Sequence, residues 1–561
     1  MIGKKSAFVL ACLISACLAA AQSGRIPENA DFWSDYPHEE LGDFLISKMS
    51  DEELLAQMFM FGWEGGQPSE NIARWISERG LGGVKVFGRN AKDTEEVAQS
   101  VAALQRKAQS RPLRIPLYVA TDQEGGWIRH VKGGTSDTPG NLAIGASGLP
   151  IDAYWSGYYI SREISALGIN MNFAPVVDVY SDKNSTIIGP RSFGDNPEHV
   201  AELGAAFAAG SRAAGVIPTA KHFPGHGGTS LDSHEKLPEI AIDMKTLEER
   251  ELVPFTALIA ERIPAIMSGH LSFPRILKNG EPASLSRFFL TGLLRERLGF
   301  GGLIITDDMM MNGATLFAGS TTRAFTLAIE AGNDIILSSQ DTPLDEPLWE
   351  KNIALMRTDA GFREKVRTAA RRVVASKLAY FKGGNAAPLY PDIPSLSSRI
   401  PDPDGERFFL NQACRSITAH KRGSIPFAQK NERILLCGQT QFPAFFSEAE
   451  KRFENCVPFR FDHDATPAFV EWAEKKLPPL AANYDTILFC VADAPSARMA
   501  RCLTRLNKKV IIFSVLSPVH VLDFDWADTI LLGYSYSPHS FKALYAALCG
   551  DFDPNGRLPL K

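Results

Sequence analysis

Between residues 58 and 339 the chain repeats one pattern eight times, and that repetition limits the fold more than any other feature. The short apolar runs are Met58-Phe59-Met60-Phe61, GGVKVFG (82–88), PLYVATD (116–122), NMNFAPVVD (170–178), VIPTAKHF (216–223), AIMSGH (265–270), GLIITDD (302–308) and NDIILSS (333–339). Amphipathic stretches such as Thr94–Ala108, Pro197–Ala214 and Thr321–Ala331 separate them, and a helix over Arg363–Tyr380 closes the unit. Strand-length runs alternating with helical spacing build parallel βα units. Eight of them predict a (β/α)8 barrel, with a doubly wound open sheet as the alternative. Polar residues favour the barrel, because Asp122, Asp178, Lys221-His222, His270 and Asp307 gather at the C-terminal ends of the runs. In a barrel that face holds the active site and its side chains converge on one pocket, whereas an open sheet would spread them along an edge.

Ser50-Asp51-Glu52-Glu53 reads as a capping box at the entrance, with Met49 and Leu54 spaced as a hydrophobic staple. Residues 383–404 carry five prolines with Gly and Ser, the composition of an extended linker. Beyond it, RILLCG (433–438), TILFCVAD (486–493), KVIIFSVL (509–516) and TILLGY (529–534) are continuous apolar runs alternating with helices over Phe445–Arg452, Ser496–Leu506 and Ser540–Cys549. Strands buried on both faces read this way, so a smaller α/β sandwich with a mostly parallel sheet is expected. The expected organisation is a barrel over 30–382, a linker over 383–404 and a sandwich over 405–561, in keeping with a 561-residue chain.

Lys4-Lys5 precede an apolar run from Ala7 to Ala21, which reads as a signal peptide over residues 1–21, too short to span a bilayer. Ala19-Ala20-Ala21 before Gln22 fits ordinary cleavage, and Ile14-Ser15-Ala16-Cys17 resembles a lipobox, giving a lipoprotein signal over 1–16 and a lipidated Cys17. The expectation is an exported protein, periplasmic or a cell-envelope lipoprotein and otherwise secreted, with membrane attachment only through Cys17. Residues 18–413 contain no cysteine, so no thiol serves the barrel, and Cys437 and Cys490 end apolar runs as small buried hydrophobes. No ligand spacing predicts a metal, no cofactor is expected, and with no basic block to suggest a nucleic-acid face no nucleic-acid partner is expected, the mild net charge of −5 saying little about partners.

The densest chemistry lies in Lys221–Pro238, KHFPGHGGTSLDSHEKLP. Val216–Ala220 reads as a buried strand that delivers Lys221 and His222 to its end, and Gly225, Gly227 and Gly228 then form a turn-rich loop. Asp232 and His234 follow with one serine between them, so in extended backbone they share a face. A carboxylate beside an imidazole fixes the ring's tautomer and raises its pKa, which suits a proton donor.

KHFPGHGGTSLDSH resembles the signature of the glycoside hydrolase family 3 β-N-acetylglucosaminidases, the NagZ-like branch in its two-domain secreted form. The resemblance implies a retaining exo-glycosidase with His234 as acid/base and Asp232 as its partner. Asp307 in GLIITDDMMMNGA matches the family's nucleophile, and Asp308 reads as structural. Asp122 in TDQEGG, Arg191 in GPRSFGDNP and the Lys221-His222 pair match its sugar-binding residues. The family commonly continues DQEGG with Arg-Val-x-Arg, whereas this chain has Trp127-Ile128-Arg129-His130. His130 then takes the place of the second arginine, and Trp127 reads as packing. His226, Glu235 and His270 read as scaffold, with Asp178 orienting Lys221 or His222. By resemblance the substrates are peptidoglycan fragments, GlcNAc joined to MurNAc or anhydroMurNAc, and DFDPNGRLPLK resembles the closing segment of the family's second domain. The alternatives are a family 3 β-glucosidase, a phosphorylase using the same histidine, and a non-catalytic cell-envelope glycan-binding protein.

Overall fold

The computed structural model describes residues 26–185, 187–229, 237–428 and 431–561. The expected signal peptide with Cys17, and Asp232, His234 and Glu235, lie outside the described residues.

Eight parallel strands form the first sheet: β1 (Phe59–Phe61), β2 (Gly83–Lys85), β3 (Tyr118–Thr121), β4 (Met171–Asn172), β5 (Ile217–Phe223), β6 (Ala265–Ser268), β7 (Leu303–Thr306) and β8 (Ile336–Ser338). β1 pairs with β2 on one side and with β8 on the other, Met60 opposite Gly83 and Phe59 opposite Ile336. The ring closes between β7 and β8, where Ile305 bridges Ile335 and the Thr306 N–H donates to the Ile335 carbonyl at 3.0 Å. Every residue of these eight strands is buried. They are short and apolar on both faces because side chains fill the barrel on one side and helices cover the other.

The helices follow the sequence closely, at Thr94–Gln109, Pro197–Ala213, Thr321–Ala331 and Ala360–Phe381. Ser50 caps the helix Asp51–Gln57 as expected, with its hydroxyl accepting from the Glu53 N–H and the Glu53 carboxylate accepting from the Ser50 N–H. Under the barrel wall Trp75 packs edge-on to Phe61 at 5.0 Å and to Trp349 at 5.1 Å. Truncating such an anchor to alanine costs about 3–5 kcal/mol.

The second sheet has six strands: β9 (Thr418–Lys421), β10 (Ile434–Gln439), β11 (Cys456–Phe461), β12 (Thr486–Val491), β13 (Lys509–Ser514) and β14 (Thr529–Leu532). Their order is β9-β14-β13-β12-β10-β11, parallel throughout except for β9 at one edge. Two apolar clusters lie on opposite faces, one around Leu435, Ile487 and Ile512, the other around Leu436, Leu488 and Ile511. Cys437 and Cys490 are fully buried in these two clusters.

The first cluster also takes in Leu142, Ala146 and Tyr180 of the barrel, so the two domains share a core. The C-terminal tail seals the seam, with the Asp195 N–H donating to the Pro559 carbonyl at 3.1 Å and the Arg557 N–H to that of Ala146 at 2.9 Å. Gly145 lets the backbones meet there, since a Cβ would lie 1.8 Å from the Phe193 carbonyl oxygen. The proline-rich segment 383–404 is ordered against the barrel and includes a short helix, Leu396–Arg399, with Leu396 and Ile400 buried.

Candidate active site

Asp122 is the first residue beyond β3, and Glu124 lies two positions on, in the short strand Gln123–Gly125. Residues two apart on extended backbone share a face, and here both carboxylates meet the lysine delivered by β5. Lys221 Nζ donates to Asp122 Oδ1 at 2.5 Å and lies 2.6 Å from Glu124 Oε1. Lys85, at the end of β2, reaches Asp122 Oδ2 at 2.6 Å. Arg191 forks onto Glu124, Nε to Oε2 at 2.9 Å and Nη2 to Oε1 at 2.8 Å. Only 2% of Lys221 and 1% of Glu124 is exposed, so these charges must satisfy one another. Burial alone would raise the Asp122 pKa, but Lys221 and Lys85 outweigh it and hold the carboxyl well below the usual range. Burial would likewise lower the Lys221 pKa, yet Asp122 and Glu124 raise it above the ordinary amine value.

Asp178 holds the next residue. Its fully buried carboxylate accepts from His222 Nδ1 at 2.7 Å and from the backbone N–H groups of His222 and His226 at 3.1 and 2.7 Å. His222 Nε2 lies 3.4 Å from Arg191 Nη2. A guanidinium only donates, which makes Nε2 the acceptor and leaves the ring proton on Nδ1, toward Asp178. Asp178 therefore orients His222, and Lys221 is held by Asp122 and Glu124.

Asp307 follows β7 directly. Its N–H donates to the Ser268 carbonyl of β6 at 2.9 Å, and its Oδ1 accepts from the Asp308 N–H at 2.8 Å. Burial pushes its pKa up, but His222, His270, the Asp308 N–H and Lys221 together bring it down to about 2. Among the described residues no lysine or arginine forms an ion pair with this carboxylate, which the low pKa keeps ionised. Asp308 points elsewhere, accepting from the Met310 and Ser339 N–H groups at 3.0 and 2.9 Å, and so ties the end of β7 to the end of β8. His270 lies beside Asp307 with Nδ1 2.7 Å from the Ser284 hydroxyl and Nε2 3.1 Å from the Asp308 carbonyl. A carbonyl accepts, so Nε2 carries the proton, and burial lowers this ring's pKa.

The barrel thus brings together Asp122, Arg191, Lys221, His222 and Asp307. His130 joins at the margin, with Nδ1 3.7 Å from Asp122 Oδ2, beyond hydrogen-bond reach, and its ring 5.6 Å from that of Phe87. Burial lowers the His130 pKa to about 4. His226 is 2% exposed with neither ring nitrogen hydrogen-bonded among the described residues, and burial lowers its pKa to about 4 as well. Sequence reasoning missed Lys85 and Glu124. Their signals were a lone charge inside the apolar run GGVKVFG and an acid spaced two from Asp122. Trp127, expected to pack, is instead 41% exposed, in the turn between Gln123–Gly125 and Ile128–Arg129.

The model of the glycosyl hydrolase family 3 N-terminal domain matches residues 50–375. A β-hexosaminidase of Methylococcus capsulatus is 36% identical over 282 residues, which cover 50% of this chain and 81% of that protein. β-Hexosaminidase A of Pseudoalteromonas piscicida is 38% identical over 263 residues, 44% of each chain, so the match spans less than half of that relative. Among solved structures, a glycoside hydrolase family 3 β-N-acetylglucosaminidase from Paenibacillus superposes with a TM-score of 0.82 at 28% identity, covering 91% of this chain and 99% of that one.

Proposed function

The chain belongs to glycosyl hydrolase family 3, and from that premise we propose that it is a retaining exo-β-N-acetylglucosaminidase working through a covalent glycosyl–Asp307 intermediate. Asp307 attacks the anomeric carbon as the bond to the leaving oxygen breaks. His234, oriented by Asp232, protonates that oxygen and afterwards takes a proton from the water that releases the sugar. Asp122, Lys221 and Arg191 grip the hydroxyls of the terminal sugar through charge-assisted hydrogen bonds, and His222 and His130 add their ring nitrogens. The natural substrates are peptidoglycan fragments in which GlcNAc is joined to MurNAc or anhydroMurNAc. The protein acts after export, in the periplasm or as a cell-envelope lipoprotein held by Cys17, and otherwise as a secreted enzyme.

The observation that carries this reading is the Asp307 carboxylate, ionised down to a pKa of about 2 and free of a direct lysine or arginine partner among the described residues. A carboxylate of that kind serves as a nucleophile and cannot serve as the acid. His270 beside it is no better as an acid, because burial lowers its pKa below the ordinary value, and burial lowers His130 and His226, elsewhere in the barrel, to about 4. A donor near neutrality is still needed, and His234 with Asp232 supplies the sequence pattern for one. The name of the Paenibacillus protein supports N-acetylglucosamine as the sugar, and that of the Methylococcus protein supports a hexosamine.

Proton NMR during hydrolysis of an aryl β-N-acetylglucosaminide tests the reading. The first GlcNAc released is the β anomer, and the α signal grows only by mutarotation. Initial release of the α anomer would overturn the covalent mechanism.

A further inference from the structure

A second polar pair lies in the C-terminal domain, facing the barrel. His463 follows β11 and Asp493 follows β12, and His463 Nδ1 lies 2.9 Å from Asp493 Oδ2. The strand order β11-β10-β12-β13-β14 reverses between β10 and β12. In open parallel sheets the crevice beyond the carboxyl ends at such a reversal is where ligands bind. Here it opens into a cleft of about 760 Å³ between the domains, lined by Trp127, Ile187 and Pro190 from the barrel and by His463 and Asp493 from the sandwich.

The side chains are held for contact with a ligand. Asp493 is 8% exposed, with Oδ1 accepting from the Ser496 N–H at 2.7 Å and Oδ2 from the Asp464 N–H at 3.0 Å. The fixed carboxylate pairs with the imidazole by charge, its Oδ2 2.9 Å from Nδ1 without the alignment of a hydrogen bond, and Nε2 remains as the ring's outer donor, 3.6 Å from Asp464 Oδ2 and too far to bond it. These three side chains could surround a metal, but Asp493 is already committed to its N–H donors and to the ring. Across the cleft the Trp127 ring meets His463 edge-on at 6.0 Å. A partly exposed indole beside a ring donor suits a pyranose, whose apolar face stacks while its hydroxyls hydrogen-bond.

The cleft adjoins the sugar network at two points. Trp127 is three residues beyond Glu124, and the Ile187 carbonyl accepts from Arg191 Nη1 at 3.0 Å. We propose that this cleft binds the leaving portion of the substrate, a saccharide whose ring stacks on Trp127 and whose hydroxyl accepts from His463 Nε2, so that the C-terminal domain selects oligosaccharide over simple leaving groups. The inference rests on the hydrolase reading above and adds to it the site for the leaving side.

The test compares kcat/KM for N,N′,N″-triacetylchitotriose with that for an aryl β-N-acetylglucosaminide, using the full chain. Trp127→Ala lowers the trisaccharide-to-aryl ratio about tenfold, the scale of one lost aromatic contact. Trp127→Phe, which keeps a ring, holds the ratio near the wild-type value and separates stacking from folding. His463→Ala lowers the ratio several-fold, and His463→Gln, which keeps a donor, restores part of it. If both substrates turn over and the ratio is the same in every variant, the leaving-group site is wrong and the hydrolase reading stands. If the wild-type protein cleaves neither substrate, the hydrolase reading fails and the site fails with it.

Discussion

The barrel and the C-terminal sheet are made from the same kind of strand, a short apolar run buried on both faces between helices, and they differ in closure. In the barrel, strand ends far apart in sequence point at one axis, so Lys85, Asp122, Lys221 and Asp307 meet although they belong to β2, the end of β3, β5 and the end of β7. In the open sheet the strand ends form a row. Among the described residues, those flanking β10 come together as His463 and Asp493, and the buried Gln439 ending β10 has no hydrogen-bond partner on its side-chain amide. Closure converts the same sequence pattern from an edge with one polar pair into a pocket with an interlocked network. The open sheet gains its cleft only by docking against the barrel.

Removing the member at the centre of the closed arrangement has the largest effect. Asp307→Asn lowers kcat/KM on an aryl β-N-acetylglucosaminide by at least about 10³-fold, and circular dichroism of the variant overlays the wild type. Near-normal turnover would remove Asp307 from the focus of the barrel. Next in size is the network itself. Lys221→Met leaves Asp122 and Glu124 with less compensation in a dry site and costs about 3–5 kcal/mol in urea unfolding. The counterpart in the open domain is Arg498, which forks onto Glu474 with both contacts at 2.8 Å but stands 51% exposed. Arg498→Met leaves the unfolding midpoint where it was, because water replaces what the ion pair provided. Equal losses from the two substitutions would erase the distinction drawn between a closed and an open sheet.

Much of this was legible in the sequence, for reasons that differ by region. The eight barrel strands and four of the six sandwich strands were found because strands buried on both faces must be apolar. β9 and β11 were missed because each lies at an edge and is partly exposed, β11 with Pro458 inside it, so neither carries a continuous apolar run. The strand-end residues were legible because a charge at the end of a buried strand is costly without a partner. Lys85 and Glu124 obey the same rule and were overlooked because they sit inside a run and just past one. The cleft was not legible at all. Trp127, His463 and Asp493 come from three separate segments joined only by docking, and no local pattern records that.

The smallest effects test the comparison through their sign. His226 in the barrel is lowered to about 4, first by burial and then by His222. The unfolded chain therefore binds the proton more readily between pH 6.5 and 4, and folded stability drains away as the pH falls through that window, by about 2–3 kcal/mol. His226→Gln removes the drain, so the gap between variant and wild type in urea midpoint shifts in the variant's favour from pH 7 to pH 4.5. His463 behaves oppositely. The interaction with Asp493 raises its pKa against the opposing effect of burial, and Asp464 adds to it. Its contribution is fully present below the ordinary histidine value and is lost as the pH rises through the raised folded value. Because the ring is partly exposed, this amounts to about 0.5–1 kcal/mol. His463→Gln is accordingly less stable than wild type at pH 6 and equal to it by pH 9. If the two histidines drift in the same direction with pH, burial dominates both sites, and the carboxylate beside His463 is not what fixes the ring in the cleft.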